Sequence, residues 1–219
     1  MYENGYGVET DYTTAFTWYE KSALQGYARS QYKLGVFYEK GAGTTKDYAQ
    51  SFAWYAKAAD KGFANAQNSV GYMYRQGHGV AQSDEQALFW YKKAAAQEQP
   101  NAHNNLGFMY ENGYGVEKDY TTAISYYEKA AALGLDAAQT NLGLMYKNGR
   151  GYAKDYRKAA NLFKLAAEQG SNIAQNELAL LYYTGDGVDK SLEQAKKLFQ
   201  QSCDKGYKTA CENLEKIGK

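Results

Sequence analysis

The sequence predicts an all-α solenoid of stacked helix–turn–helix units, and three observations predict it. Gly-x-Gly recurs at Gly5/Gly7, Gly41/Gly43, Gly77/Gly79, Gly113/Gly115, Gly149/Gly151 and Gly185/Gly187, each pair 36 residues after the last. Apolar columns keep the same step: Leu34, Val70, Leu106, Leu142, Leu178 and Leu214 form one, and Tyr2, Tyr38, Tyr74, Tyr110, Tyr146 and Tyr182 another. Within each unit the apolar spacing is helical and breaks twice. A fixed period of this length, with apolar agreement in every copy, describes a repeat array whose units bury their faces against one another. The 22 glycines, 23 tyrosines and single proline follow from that repeat.

Each element has a local reason. Ala66, Val70, Met73 and Tyr74 recur at i, i+4, i+7 and i+8, which predicts a helix of about twelve residues, helix A. The Gly-x-Gly loop ends it, because glycine adopts positive φ at little steric cost. Asp11, Asp47, Ser83, Asp119, Asp155 and Ser191 then stand as N-caps for a second helix. Ser83/Gln86 and Ser191/Gln194 add the capping-box partner. That second helix, B, carries Ala87, Trp90, Tyr91, Ala94 and Ala95 on one face. Gly26, Gly62, Gly134, Gly170 and Gly206 close it. One junction departs and reads Gln97-Glu98-Gln99-Pro100-Asn101. Pro100 suits the first position of a helix, whereas Glu98 lacks glycine's freedom, so a locally altered turn is expected over 97–102.

The columns Ala66, Gly71, Tyr74, Gly77, Gly79, Val80, Ala87, Trp90, Tyr91, Ala94 and Ala95 resemble the Sel1-like repeat family, relatives of the tetratricopeptide repeats. The resemblance covers essentially the whole chain. It implies a right-handed superhelix whose concave face is built largely from the A helices. The units are expected at 1–27 (partial, helix B alone), 28–63, 64–99, 100–135, 136–171 and 172–207, with a capping helix over 208–219. Residues 1–27 nearly copy 109–135, and Met1 occupies the column of Met73. The first B helix therefore lacks its A partner, which predicts a segment of a longer array and end-to-end self-association through that edge. A short gene product with a ragged start is the alternative. Glu215 and Gly218 break the columns of the last helix, as a polar solenoid cap requires.

Cys203 and Cys211 are the two cysteines, eight residues apart across the Gly206 turn. Bridging requires Cα atoms within about 7 Å, and so short a loop would stabilise by roughly 2–3 kcal/mol. The spacing resembles the secreted, cysteine-rich Sel1-like subset, in which such pairs bridge adjacent helices. That resemblance implies a disulfide and a periplasmic or extracellular setting, with the signal peptide missing from this chain. Two buried thiols in a cytoplasmic protein are the alternative.

Composition excludes several function classes. Hydrophobic residues are 44% and charged residues 22%, enough apolar matter for a packed core. A net charge of +1 and aromatic richness without basic excess argue against a nucleic-acid partner. No run of 18 apolar residues exists, so direct membrane insertion by a helix is not expected. The opening MYENGYGVET lacks the basic and apolar regions of a signal peptide. Gly41-Ala-Gly-Thr-Thr-Lys46 has the look of a phosphate cradle, but a helix precedes it where a dinucleotide fingerprint needs a strand. Ser30-Gln-Tyr-Lys33 matches Ser-x-x-Lys, and cysteine-rich relatives have been associated with β-lactam binding. Neither Ser-Asp-Asn nor Lys-Thr-Gly accompanies it. His78 and His103 have no carboxylate or thiol at ligand spacing, so no metal, cofactor or general base is expected. Trp18, Trp54 and Trp90 share one column and read as packing between helices. The tyrosines at 38, 74, 110, 146 and 182 read as core.

What remains for function is the A-helix face outside the repeat columns. One row runs Tyr32, Asn68, Asn104, Thr140 and Asn176, and the next Lys33, Ser69, Asn105, Asn141 and Glu177. A third runs Val36, Tyr72, Phe108, Leu144 and Leu180. Asparagine amides both donate and accept, so a ladder of them can pair with a peptide backbone, and Tyr72 and Phe108 can anchor side chains. The expected binding residues are Tyr32, Lys33, Asn68, Tyr72, Asn104, Asn105, Phe108, Thr140, Asn141 and Asn176. The bland alternative is a solvated polar row beside apolar residues that pack between repeats. The expected function is a non-catalytic scaffold for a protein or extended peptide. A β-lactam-hydrolysing enzyme and a structural spacer within a longer chain are the rivals. The family resemblance implies adaptors in bacterial envelope or host-interaction processes, or in eukaryotic membrane-protein quality control.

Overall fold

The computed structural model describes residues 2–5, 7 and 9–218; Met1 lies outside them. Twelve α-helices and no strand occur among the described residues. In chain order they are α1 (Tyr12–Leu24), α2 (Ala28–Lys40), α3 (Tyr48–Asp60), α4 (Ala64–Gln76), α5 (Asp84–Ala95) and α6 (Pro100–Asn112). These are followed by α7 (Tyr120–Ala132), α8 (Asp136–Asn148), α9 (Tyr156–Glu168), α10 (Asn172–Thr184), α11 (Leu192–Asp204) and α12 (Lys208–Gly218). Even-numbered helices are the A helices and odd-numbered ones the B helices. The chain forms two compact units, one of residues 1–109 with 114–117 and one of 110–113 with 118–219. Within the first, each of α1 to α4 packs on the next helix in sequence, ending at α5; the second repeats this from α7 to α12.

All six expected caps form. Asp11 accepts from the Thr14 amide at 3.0 Å, Asp47 from Ala49 and Gln50, and Asp119 from Thr121 and Thr122. Ser83, Asp155 and Ser191 take the amides of Gln86, Lys158 and Gln194. The cap residue's own N–H is already bound, at Ser83 to the Tyr74 carbonyl (3.0 Å) and at Ser191 to that of Tyr182 (2.9 Å). A capping-box glutamine therefore has no free amide to accept from, and the Ser83 hydroxyl donates to Glu85 instead. The same link, cap N–H to column-tyrosine carbonyl, recurs at Asp11, Asp47, Asp119 and Asp155 and fixes where each loop enters helix B.

The helix columns are selected by fit. A Cβ added at Gly71 would stand 2.7 Å from the Tyr91 ring, and one at Gly35 or Gly143 would meet the rings of Tyr55 or Phe163. The A helix is thus bare where a B-helix ring crosses it, and Tyr55, Tyr91, Tyr127, Phe163 and Phe199 are fully buried. The column tyrosines 38, 74, 110, 146 and 182 are only partly buried, packing edge-on or stacked on neighbours, as Tyr74 does on Phe52 and Tyr110 on Tyr126. Trp54 is buried against Ala23 and Leu34, whereas Trp18 is 60% exposed, with the Lys21 ammonium over its ring. Column membership therefore does not by itself fix burial.

The junction at Glu98 is not the altered turn its sequence predicts. Glu98 takes φ +56°, the left-handed conformation that glycine adopts in the other units. Its turn keeps their bonds: Glu98 N–H to the Ala95 carbonyl and Gln99 N–H to that of Ala94, matching Gly62 to Ala59 and Phe63 to Ala58. Pro100 opens α6 as expected, and the Gln99 side chain caps it at the Ala102 amide.

A polar seam ties the repeats together. Gln31, Gln67 and Gln175 are buried, and their amides donate to the carbonyls of Ala23, Ala59 and Ala167, eight residues back. Gln97 extends the seam, donating to both Gln67 and the Gly62 carbonyl. In the last unit, Cys211 holds the glutamine position and Cys203 the alanine position, and the two form a disulfide with Cα atoms 4.8 Å apart. A covalent bond thus stands where the earlier repeats use a hydrogen bond.

Candidate functional site

In the first unit the A helices α2, α4 and α6 carry the candidate residues. Tyr32 is half-buried, tilted against the rings of Tyr55 and Phe63 at 5.5 and 5.3 Å, so it is part of the packing. Burial pushes its phenol up, with the Ser69 hydroxyl opposing. Lys33 is paired with Glu3 at 2.7 Å. Asn105 donates to Asn68 at 3.0 Å, joining one A helix to the next. Tyr72 is 40% exposed and lies edge-on to His78, which stacks on Tyr48. Phe108 stacks on Tyr114, and the Arg75 guanidinium lies over both rings, at 4.5 and 5.5 Å.

The second unit differs. Thr140 is buried and its hydroxyl meets the Asp136 carbonyl and the Ser171 hydroxyl. Asn176 is 1% exposed, accepting from Asn213 at 3.0 Å and donating to Glu177. Asn104 and Asn141 are half-buried and partnered. The asparagine row is thus spent in part on joining successive repeats: Asn68 to Asn105 and Asn176 to Asn213 are the same bond. The accessible members cluster in the first unit, around Tyr72.

A further row escaped sequence reasoning. Three residues beyond the Val36/Tyr72/Phe108 row, or at the equivalent position of the first partial unit, stand Glu3, Glu39, Arg75, Glu111, Lys147 and Tyr183. The Tyr19, Tyr55 and Tyr127 hydroxyls donate to Glu3 (2.7 Å), Glu39 (2.6 Å) and Glu111 (2.8 Å), and Glu111 also receives Arg150 at 2.7 Å. Burial first, and then the partner carboxylate, raise these phenols, that of Tyr19 to about 12. In the third repeat Arg75 replaces the glutamate, and the fully buried Tyr91 hydroxyl has no hydrogen-bond partner. The sign change in this column was the available signal.

The catalytic alternatives find little support in the geometry. Ser30 shares a hydrogen bond with Ser22 at 2.7 Å, while the ammonium of Lys33 is held by Glu3, so Ser30 and Lys33 do not act on each other. Gly43 lies against the Tyr12 backbone and Asp47 occupies the amides of the following helix, leaving no cradle there. Nε2 of His103 lies 3.3 Å from Glu98, and His103 holds the buried glutamine position. Among the described residues no three His, Cys, Asp or Glu side chains gather as a metal site would require, and no helix is long and apolar enough to cross a membrane.

Stacked helix pairs, capped alike and sewn by one repeating polar seam, define an α/α solenoid. The family profile described as Sel1 repeat matches residues 1–27, 28–63, 64–98, 100–135, 136–171 and 172–207, and the chain belongs to the Sel1-repeat family. Among solved structures, a protective antigen of uropathogenic Escherichia coli is 37% identical over 99% of this chain, with a TM-score of 0.80. This chain spans only 47% of that antigen's length. A Sel1 repeat protein from Oxalobacter formigenes is 33% identical, covering 94% of this chain and 84% of its own, with a TM-score of 0.88. A Klebsiella pneumoniae protein described as a Sel1 repeat protein, 23% identical over 93% of this chain and 99% of its own (TM-score 0.63), shares the fold. A search of curated proteins found no match.

Proposed function

We propose that this chain is a non-catalytic receptor that binds another protein, or an extended peptide, along the A-helix face of its first unit. A Sel1-repeat scaffold supports a protein-interaction role in general; the face and the kind of partner are the proposal. The observation that carries it is Tyr72, a large ring left 40% exposed on an A helix, flanked by the Asn68–Asn105 amides and by Arg75 over Phe108 and Tyr114. Aromatic and arginine side chains with polar neighbours are the composition of interface hot spots. The helices are held by caps, seams and packed rings before any ligand arrives, so little ordering opposes binding on the receptor side. Tyr32, Lys33 and Asn104 extend this face; in the second unit Asn141 is a candidate by itself, while the buried Thr140 and Asn176 act by holding repeats in place. The disulfide favours a periplasmic or extracellular setting.

The test is a crosslinking capture with the parent chain beside the double variant Asn68→Glu, Tyr72→Ala, its fold checked by circular dichroism. Loss of the captured partner in a folded variant is expected. Equal capture by both chains would move the contact to another surface.

A further inference from the structure

The third repeat lacks a carboxylate that its neighbours have. Where Tyr19, Tyr55 and Tyr127 each donate to a glutamate, the Tyr91 hydroxyl is buried and bonded to nothing, and Arg75 stands in the glutamate's place. Arg75 itself has no ion pair among the described residues; only the ring faces of Phe108 and Tyr114 hold it. Arg75 and Tyr91 hold the two positions, 16 residues apart, that Glu39 and Tyr55 hold in the preceding repeat, where they are hydrogen-bonded. In the second unit one carboxylate serves a phenol and a guanidinium together: Glu111 receives the Tyr127 hydroxyl at 2.8 Å and Arg150, which stands in the column of Tyr114, at 2.7 Å.

From these facts we propose that Arg75 and Tyr91 form a carboxylate-binding subsite, completed when a partner polypeptide supplies the carboxylate that this repeat lacks. The ligand's carboxylate receives the phenol on one oxygen and the guanidinium on the other, the pairing that Glu111 makes in the second unit. Arg75 is the movable wall. Its stem is flexible and its hold on two rings at a partly exposed site is weak, so it can leave them to admit the ligand. Charge-assisted bonds from arginine to carboxylate, and from the phenol to the same group, then replace a ring contact and an unmade hydrogen bond. Exposed Tyr72, and the rings of Phe108 and Tyr114 on which Arg75 lies, suit the apolar neighbours of an acidic side chain or of a chain terminus. The subsite rests on the A-helix face being the binding surface and names the chemistry recognised there.

The test follows the Arg75 side-chain Nε–H signal by NMR, assigned through Arg75→Lys, during titration with three blocked tripeptides. Acetyl-Gly-Asp-Gly-amide offers a side-chain carboxylate, acetyl-Gly-Gly-Gly with a free terminus offers a terminal one, and acetyl-Gly-Asn-Gly-amide offers neither. A saturable shift with either carboxylate peptide, and none with the asparagine peptide, is expected; which one titrates identifies the source. Arg75→Glu, followed through the backbone amides of α4, should weaken binding at least about tenfold while raising the melting temperature, because Tyr91 regains an internal carboxylate. Tyr91→Phe should weaken binding without loss of fold. No shift with either carboxylate peptide, a shift with the asparagine peptide as large as theirs, or unchanged affinity in Arg75→Glu, would overturn the subsite. If the subsite fails while Tyr72-dependent capture persists, the groove reading stands; loss of that capture with titration intact sinks the groove reading alone.

Discussion

The disulfide offers a quantitative test of repeat equivalence. Cys203 and Cys211 occupy the alanine and glutamine positions that elsewhere join through a hydrogen bond, as in Ala59 and Gln67. Replacing Cys203→Ala and Cys211→Gln should therefore restore the ordinary seam rather than merely break a bond. The covalent loop, eight residues of separation, contributes about 2.5 kcal/mol in the chain-entropy account. A buried side-chain-to-carbonyl hydrogen bond returns about 1 kcal/mol. The net loss is then about 1.5 kcal/mol, against about 2.5 kcal/mol or more for Cys203→Ala, Cys211→Ala. Because contacts in a repeat array are with neighbours only, the effect belongs to α11 and α12. Native-state hydrogen exchange resolves it: α12 amides should exchange roughly tenfold faster in the first variant and roughly 50- to 100-fold faster in the second. Equal rates in the two variants would refute the equivalence. Parent-like rates in both would mean that the bridge does not hold α12.

Other perturbations follow from the same packing. Glu98→Gly removes a left-handed glutamate that costs about 1–2 kcal/mol, offset by glycine's larger unfolded entropy, so thermal unfolding should shift upward by roughly 1–4 °C. Gly71→Ala drives a methyl to 2.7 Å from the Tyr91 ring and 3.1 Å from the Ala87 carbonyl, and should destabilise by about 1–3 kcal/mol in denaturant titrations. Tyr127→Phe strands the Glu111 carboxylate from its phenol and should cost about 1–2 kcal/mol, whereas Tyr91→Phe removes an unsatisfied hydroxyl and should be neutral or stabilising. The raised phenols of Tyr19, Tyr55 and Tyr127 keep their protons in the folded state after the unfolded chain has lost them. Stability should therefore be whole below about pH 10 and fall as pH rises above it. Tyr19→Phe should flatten that decline between pH 10 and about 12 in alkaline melts.

Much of this fold was legible because the period never slips. Six N-caps, six Gly-x-Gly pairs and the helical columns each repeat an elementary rule of backbone or side-chain chemistry, and repetition cancels the ambiguity of any single copy. Glu98 was misjudged because its turn is dictated by the bonds of Ala94 and Ala95 and by the seam through Gln97, which outweigh local propensity. Trp18 and Trp54 read alike in sequence yet differ in burial, since burial depends on what lies across the ring. The turning of Asn176 and Thr140 inward was not legible, because periodicity fixes a residue's angle on its own helix and not the neighbour it meets. The Arg75–Tyr91 pair joins two columns 16 residues apart, and only their contact reveals that the third repeat lacks its carboxylate.

The face that meets the partner decides whether this chain binds through its A helices. A photoreactive phenylalanine analogue placed at Tyr72 on α4, or at Phe89, 48% exposed on the B helix α5, reports this directly by mass spectrometry of the crosslinked species. Crosslinks to one polypeptide from position 72 and none from position 89, lost on competition with unmodified chain, are predicted. Crosslinking from position 89 alone would contradict the central claim.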